Sequence, residues 1–172
     1  MGMATSSGDE VDRVVGDWQR ELPGLDVSST GITLPVTRLA ALLAEGRAAV
    51  LSPHGLDQSH LEVLGVLLRS GAPYRLTAGE LTRRCRVTAG ATTQRVTAME
   101  ELGLVERSRE PEDRRTVHVT LTTVGQQRVT EVLGDVVAAD EALLSGLSAA
   151  DRAVLEASLR GWLEVVGAGL PS

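Results

Sequence analysis

The chain has 172 residues and a hydrophobic fraction of 42%, which is typical of one globular domain with helical extensions. Its single cysteine excludes an internal disulfide framework and a multi-cysteine zinc site. The net charge of −6 is uneven, because residues 74–115 hold nine arginines against seven acids and the remainder holds eight against sixteen. An acidic body with a relatively basic centre suits a polyanionic partner and predicts salt-sensitive binding.

The N-terminal part of the chain predicts a polar tail followed by three helices. Residues 1–9 are expected to be disordered, and the absence of a leader pattern or a long apolar run predicts a cytoplasmic protein without a membrane span. The first helix is expected over residues 9–22, the second from about residue 29 or 30 to 52, and the third over 58–70. The apolar stripe of the first helix consists of Val11, Val14, Val15, Trp18 and Leu22.

Two short helices are predicted next, and each begins at a threonine. Thr77 and Glu80 have the spacing of a capping box, which predicts the start of a helix. Thr88 is expected to cap a second helix over residues 89–102, and Gly103 to end it. The residues of this second helix that the helical period places inward are Ala91, Val96, Met99 and Leu102.

Beyond Gly103 the apolar period changes from helical to alternating. Residues 104–107 and 116–121 are predicted as two strands, joined by the polar, turn-forming segment 108–115. Helix, turn, helix and then a charged hairpin is the order of a winged helix-turn-helix, whose dominant use is binding duplex DNA.

The side chains expected to contact DNA lie on the second of these helices and at the hairpin tip. Small residues let the helix N-terminus approach a groove, threonine methyls contact thymine, and Gln and Arg bind base edges. These predicted helix residues are Thr88, Ala89, Gly90, Thr92, Thr93, Gln94 and Arg95. At the tip, Asp113 is expected to pair with Arg114 or Arg115, which leaves the other arginine to extend toward DNA.

Two further helices, over residues 123–144 and 149–166, complete the chain. Their apolar stripes are larger than one helix pair can cover, which predicts a homodimer. The expected fold class is mainly α with a small β-hairpin wing. Its predicted divisions are the tail at 1–9, N-terminal helices for dimerisation and ligand binding at 10–73, the winged helix-turn-helix at 74–122 and C-terminal dimerisation helices at 123–172.

Two stretches resemble the MarR family of bacterial regulators, and the resemblance extends over nearly the whole chain. Asp113-Arg114-Arg115 followed by residues 117–122 is similar to the wing signature of that family. Residues 92–96 and 99–105 resemble its recognition helix and the exit from that helix. The resemblance implies a homodimeric DNA-binding regulator, not an enzyme, that is released from its operator by a small molecule or by oxidation.

Residues 18–26 resemble the first helix of the urate-responsive subgroup of this family. The resemblance implies a pocket for a small anion, such as urate, a purine or a polycarboxylate, at Trp18, Glu62, Arg95 and Arg107. The subgroup usually has Asp at the position of Glu62, so ligand identity is left open. The other interpretations are that Trp18 packs in a core or dimer interface and that Glu62 and Arg95 form an inter-helix ion pair.

Other functions remain as alternatives. Cys85 is interpreted as a structural thiol, because it lies outside the first helix where the redox cysteines of the family lie. His54, His60 and His118 are not at metal-ligand spacing with one another, so no metal or cofactor is predicted. His54 and His60 could meet only if the turn between them folds back, and Asp57 or Glu62 could then join them as metal ligands. The sequence contains no glycine-rich nucleotide loop, nucleophile elbow or paired-carboxylate site, so an enzyme is not predicted. The remaining alternatives are a redox- or metal-responsive regulator of this family and a winged helix that binds only protein.

Overall fold

The protein is described here by a computed structural model, which covers residues 7–110 and 116–169. It is mainly helical with one small antiparallel sheet, as the sequence predicts. The elements in chain order are α1 (Ser7–Glu21), α2 (Thr30–Leu51), a 3-10 turn (Ser52–His54), α3 (Gln58–Arg69), β1 (Arg75–Thr77), α4 (Ala78–Arg84), α5 (Ala89–Glu101), β2 (Val105–Arg109), β3 (Val117–Leu121), α6 (Thr123–Leu144) and α7 (Ala149–Gly169).

The chain forms two compact units, one up to Gly46 and one from Arg47 onward. In the first unit, α1 begins at Ser7, inside the segment predicted as tail, and Glu10 forms an ion pair with Arg38 of α2. Residues 1–6 lie outside the described residues. Trp18 of α1 and Leu22, directly after its end, are 49% and 44% exposed, so the apolar stripe predicted for this helix is only partly covered.

The hydrophobic core of the second unit joins α3, the helix pair α4–α5, the sheet and α6. Its fully buried side chains are Leu51, Leu64, Leu67, Leu81, Met99, Val63, Val119, Val129 and Val132. Val96 and Met99 of α5 point inward as predicted, whereas the inward position predicted for Leu102 is wrong. Leu102 follows the last helical residue and is 48% exposed, because the helix has already ended there.

Local capping explains where the helices of the second unit begin. The Thr77 hydroxyl accepts from the backbone N–H of Glu80 at 3.1 Å, and the Glu80 carboxylate accepts from the backbone N–H of Thr77 at 2.8 Å. This is the predicted capping box. The Thr88 hydroxyl likewise accepts from the N–H of Ala91 at 3.2 Å, which fixes the start of α5.

The sheet has three strands in the order β1-β3-β2, one more than the sequence predicts. In the extra strand, β1, Leu76 pairs with Val119 of β3, and both side chains are buried. Three residues are too few to show an alternating period, so only the long-range pairing with β3 identifies this strand. Arg107 of β2 also lies opposite Val119, so β3 is central.

The start of α6 is fixed directly against the segment that leaves α5. Thr122 donates its backbone N–H to the carbonyl of Leu104 at 3.1 Å and its hydroxyl to the carbonyl of Gly103 at 2.7 Å. Gly125 lies so close that an added Cβ would meet the Leu104 carbonyl oxygen at 2.0 Å. The segment that leaves α5 and the long helix α6 are therefore joined through backbone contacts.

Candidate DNA-binding surface and effector site

The N-terminal half of α5 presents an exposed face of small and polar side chains. Thr88, Ala89, Gly90, Thr93 and Gln94 are all exposed. The first turn of the helix leaves backbone N–H groups without intrahelical partners, and these groups favour phosphate oxygens. The face can therefore enter a major groove without steric obstruction and present hydrogen-bonding side chains to base edges.

Thr92 does not belong to this face, and its predicted role in DNA contact is wrong. Its side chain is 2% exposed, and its hydroxyl lies 2.8 Å from the hydroxyl of Thr82 on α4. The hydrogen bond joins the two helices of the helix-turn-helix. The helical period contained the signal, because Thr92 lies one turn before the inward-pointing Val96.

Arg95 lies on the side of α5 that faces α3. Its Nη1 donates to Oε2 of Glu62 at 3.0 Å, and only 21% of its side chain is exposed. Thr93 is two residues away along the helix, which corresponds to a rotation of about 200°. The predicted base contact by Arg95 is therefore not supported, whereas the alternative prediction of an inter-helix ion pair with Glu62 is confirmed.

Arg107 extends from β2 across the other side of α5. Its Nη2 donates to the carbonyl oxygen of Thr93 at 3.2 Å and also bonds the Thr97 hydroxyl, while its Nε lies 3.5 Å from the Glu100 carboxylate. These three partners lie on one face of α5, because they are separated by four and three residues. Arg107 thus ties the wing to the recognition helix.

A cavity of about 160 Å³ lies between α5 and the sheet, and Arg107 forms part of its wall. Its other lining residues are Ala78, Thr92, Thr93, Val96, Val117 and Val119. It is small compared with ligand pockets, which commonly measure roughly 300–1,000 Å³. A ligand that binds the Arg107 guanidinium there must displace its present partners.

The four residues predicted for the effector pocket are therefore not all brought together. Glu62 and Arg95 are paired, whereas Arg107 contacts a different face of α5. Trp18 belongs to the first unit, where its indole is half exposed.

The base of the wing is held by a charged cluster that the sequence did not predict. Glu110, directly after β2, accepts a hydrogen bond from the ring of His118 on β3 at 2.7 Å and lies 3.6 Å from Arg75 on β1. The sequence shows an acidic residue, Glu110, and the basic residues Arg75 and His118, but it does not show that they lie together. The predicted tip residues Asp113, Arg114 and Arg115 lie outside the described residues.

Cys85 and the histidines do not form a reactive or metal-binding group. Cys85 is 3% exposed, and its burial, reinforced by the charge of Glu62, raises the pKa of the thiol. A protonated, buried thiol reacts slowly with oxidants. Over residues 7–110 and 116–169, no three His, Cys, Asp or Glu side chains lie close enough together to hold a metal ion.

A capped helix pair with an exposed N-terminal face, followed by the β2–β3 hairpin of a three-stranded sheet, defines a winged helix-turn-helix protein. The sequence model of a protein family, the MarR family, matches residues 54–116. The HTH-type transcriptional regulator PecS of Dickeya dadantii (strain 3937) is 27% identical over 150 residues, which cover 87% of this chain and 90% of PecS. Residues 54–116 therefore match the MarR family, and the relative found over most of the chain is a transcriptional regulator.

Solved structures show the same fold. AbsC, a MarR family transcriptional regulator from Streptomyces coelicolor, has a TM-score of 0.72 at 22% identity, over 84% of this chain and 97% of AbsC. Bordetella bronchiseptica BpsR, whose DNA binding is regulated by 6-hydroxynicotinic acid, has a TM-score of 0.68 at 20% identity, over 81% of this chain and 97% of BpsR. In the described part of this chain, no helix is both long enough and apolar enough to cross a membrane.

Proposed function

We propose that the protein is a homodimeric repressor that binds a pseudo-palindromic operator and is released by a small anionic effector. The observation that carries the DNA-binding part is the exposed face of α5, which begins at the capping residue Thr88 and is followed by the wing. Two such faces in a two-fold dimer would read half-sites about one helical turn apart.

The exposed apolar surface of α7 supports the dimer. This helix has no buried residue of its own, although it carries many large apolar side chains. Those that are at least 38% exposed are Val154, Leu155, Leu159, Trp162, Leu163, Val165 and Val166. Monomeric proteins rarely expose a contiguous apolar patch of this kind, and a second copy of the chain is the partner that a MarR regulator supplies.

The Glu62–Arg95 pair supports an anionic effector. Glu62 is 41% exposed, so the ion pair is accessible to a competing carboxylate or urate anion. An anion that replaces Glu62 at the Arg95 guanidinium would alter the contact between α3 and α5, and so would bind the free and DNA-bound forms with different affinity. That difference in affinity is what release from an operator requires.

Arg107 and Trp18 are the other two residues that we propose to contact the effector. Arg107 holds the carbonyl of Thr93 on the DNA-reading helix, so an anion that attracts its guanidinium would loosen the wing from α5. The half-exposed indole of Trp18 offers a flat surface for a planar ring. The similarity to BpsR, whose DNA binding is regulated by 6-hydroxynicotinic acid, favours a planar aromatic anion over a polycarboxylate.

Effector binding is tested by thermal melts with urate, xanthine, hypoxanthine, citrate, aconitate, salicylate and 6-hydroxynicotinate. A ligand present at a hundred times its dissociation constant stabilises the folded state by about 2.7 kcal/mol. The expected result is a shift with a planar anion that disappears in Arg95→Ala. Arg107→Ala, on the other side of α5, tests whether the same anion also reaches that guanidinium. Glu62→Gln, which removes the competing charge, is expected to bind the anion more tightly.

Trp18 is tested separately by fluorescence in a Trp162→Phe background, which leaves one tryptophan as the reporter. Quenching by the same anion is expected, and an unchanged spectrum at saturating ligand would remove Trp18 from the site. If none of the anions shifts the melting temperature, the effector proposal fails while the DNA-binding proposal stands.

DNA contact by the wing is tested with Arg114→Ala/Arg115→Ala. The double variant is expected to lose most of its affinity for an operator duplex selected by the wild-type protein, measured by fluorescence anisotropy. Unchanged affinity would refute the role of the wing tip. A wild-type protein that binds no duplex at all would favour the protein-interaction alternative.

A further inference from the structure

Many arginines of this chain are neutralised by a carboxylate. Eight of those in residues 7–110 and 116–169 form ion pairs, namely Arg20, Arg38, Arg47, Arg75, Arg95, Arg107, Arg152 and Arg160. Within the same ranges, Arg83, Arg84 and Arg86 form none. The other arginines without an ion pair there are Arg13, Arg69, Arg109 and Arg128, which lie one each on four separate elements.

The three clustered arginines lie at the end of α4 and in the turn that leads into α5. All three side chains are exposed, whereas Cys85 between them points into the core. We call these three residues the arginine patch. In a chain with a net charge of −6, three adjacent exposed cations without a carboxylate partner are a local excess of positive charge.

Glu80, on the same helix as Arg83 and Arg84, forms no ion pair with them because its carboxylate is hydrogen-bonded to Thr77. One of its oxygens accepts from both the backbone N–H and the hydroxyl of Thr77, each at 2.8 Å. These bonds lower the pKa of Glu80, and the positive charges of Arg84 and Arg83 lower it further. The positive charge of the arginine patch thus acts on the Glu80 carboxylate at a distance, without an ion pair between them.

Arg86 adds a second, independent observation. Its backbone has φ = 53°, a left-handed conformation that disfavours residues with a Cβ and that glycine adopts readily. The turn is fixed by the Val87 N–H, which donates to the Thr82 carbonyl at 3.2 Å. A long cationic side chain at a position where glycine would be less strained indicates that the side chain itself has a use.

The arginine patch is also adjacent to the helix end that faces DNA. Thr88, only two residues after Arg86, caps α5, and the exposed Ala89 and Gly90 follow. The patch and the N-terminus of α5 therefore attract the same kind of anion from neighbouring positions. In duplex DNA, the walls of the major groove that such a helix enters are formed by phosphates.

We propose that Arg83, Arg84 and Arg86 bind the phosphate backbone of the operator on the rim of the groove that α5 enters. The proposal rests on the proposed DNA-binding function and adds to it a set of contacts that fix the position of α5. Phosphate contacts carry no sequence information, so the arginine patch contributes affinity and salt dependence, and the exposed face of α5 contributes specificity.

The test compares the wild type with Arg83→Gln/Arg84→Gln/Arg86→Asn. Glutamine retains helix propensity in α4, and asparagine tolerates the left-handed conformation at residue 86, so the fold is retained while three charges are removed. Fluorescence anisotropy measures the affinity for a duplex selected by the wild type and for a scrambled duplex, between about 50 and about 200 mM salt.

The expected result is a loss of about tenfold or more in affinity for both duplexes, with the ratio between them retained. The slope of log affinity against log salt should become shallower by about 0.9 for each phosphate that the variant no longer neutralises. The control is Arg13→Gln/Arg20→Gln/Arg160→Gln, which removes the same charge from exposed arginines of α1 and α7 and should change the slope little.

Four results would overturn the proposal. An unchanged salt slope would exclude phosphate binding by these residues, and an equal loss in the control variant would reduce the effect to net charge. A loss confined to the selected duplex would make the arginine patch a base-reading element. A wild type that binds no duplex would overturn the proposed function as well, whereas the first three results leave DNA binding intact.

Discussion

Among single residues, a buried position and a strained position stand out where α4 meets α5. Thr92 is the clearest case, because its buried hydroxyl has partners on both α4 and α5. Arg86 is the opposite case, because its exposed side chain is held on a strained backbone. The two residues lead to different predictions.

Replacing Thr92 with Val keeps the shape of the side chain and removes the hydroxyl. Thr82 retains its bond to the carbonyl of Ala78, so no group is left unpaired. The expected cost in the free energy of unfolding is about 0.5–1.5 kcal/mol, measured by urea denaturation. The exposed neighbour Thr93→Val is the control and should stay within about 0.5 kcal/mol of the wild type. Equal effects would contradict the bridging role of Thr92.

Replacing Arg86 with Gly should move stability and DNA affinity in opposite directions. Relief of the left-handed strain gains about 1–2 kcal/mol, and the added freedom of glycine in the unfolded chain costs about 0.5–1 kcal/mol. The variant should therefore be up to about 1.5 kcal/mol more stable by denaturation, yet bind operator more weakly. A variant that loses stability and affinity together would mean that Arg86 has a structural role.

Glu80 predicts how stability depends on acid. Its pKa is lowered from the usual 4.5, first by the backbone N–H of Thr77. A lowered folded-state pKa gives stability that is complete above the unfolded value and is lost as pH falls through the folded one. Glu80→Gln should be less stable near neutral pH, and the difference from the wild type should shrink below about pH 4.5. A difference that stays constant down to acid pH would contradict an ionic capping box.

At the scale of elements, the central feature is the junction between the exit of α5 and the start of α6. Gly125 allows the backbone of α6 to contact the carbonyl of Leu104, and Thr122 donates two hydrogen bonds across the same junction. Movement of the recognition helix is thereby coupled mechanically to the long helix α6.

Gly125→Ala should test how tight this junction is. The added methyl group would overlap the Leu104 carbonyl, so α6 must shift, at an expected cost of about 1–3 kcal/mol in unfolding free energy. Gly134 lies in the same helix with no atom within 4 Å of an added Cβ, so Gly134→Ala is the control. It should gain up to about 1 kcal/mol from helix propensity. Equal responses would show that the junction is not closely packed.

For the whole molecule, features that depend on neighbouring residues can be predicted from the sequence, whereas contacts between distant segments cannot. Thr77 and Thr88 predicted helix starts correctly because a cap needs only the next three residues. β1 was missed because its strand identity comes from β3, more than forty residues later. The resemblance to the MarR family implied a binding role for Arg107, but only the folded chain shows it bonded to α5.

Sequence-specific DNA binding by a homodimer is tested most directly by letting the wild-type protein select duplexes from a random-sequence library. Sequencing of the bound fraction is expected to yield a pseudo-palindrome whose half-sites lie about one helical turn apart, bound by two chains per duplex. Enrichment of a single half-site would contradict the dimer arrangement. No enrichment above the starting library would contradict a sequence-specific DNA-binding function.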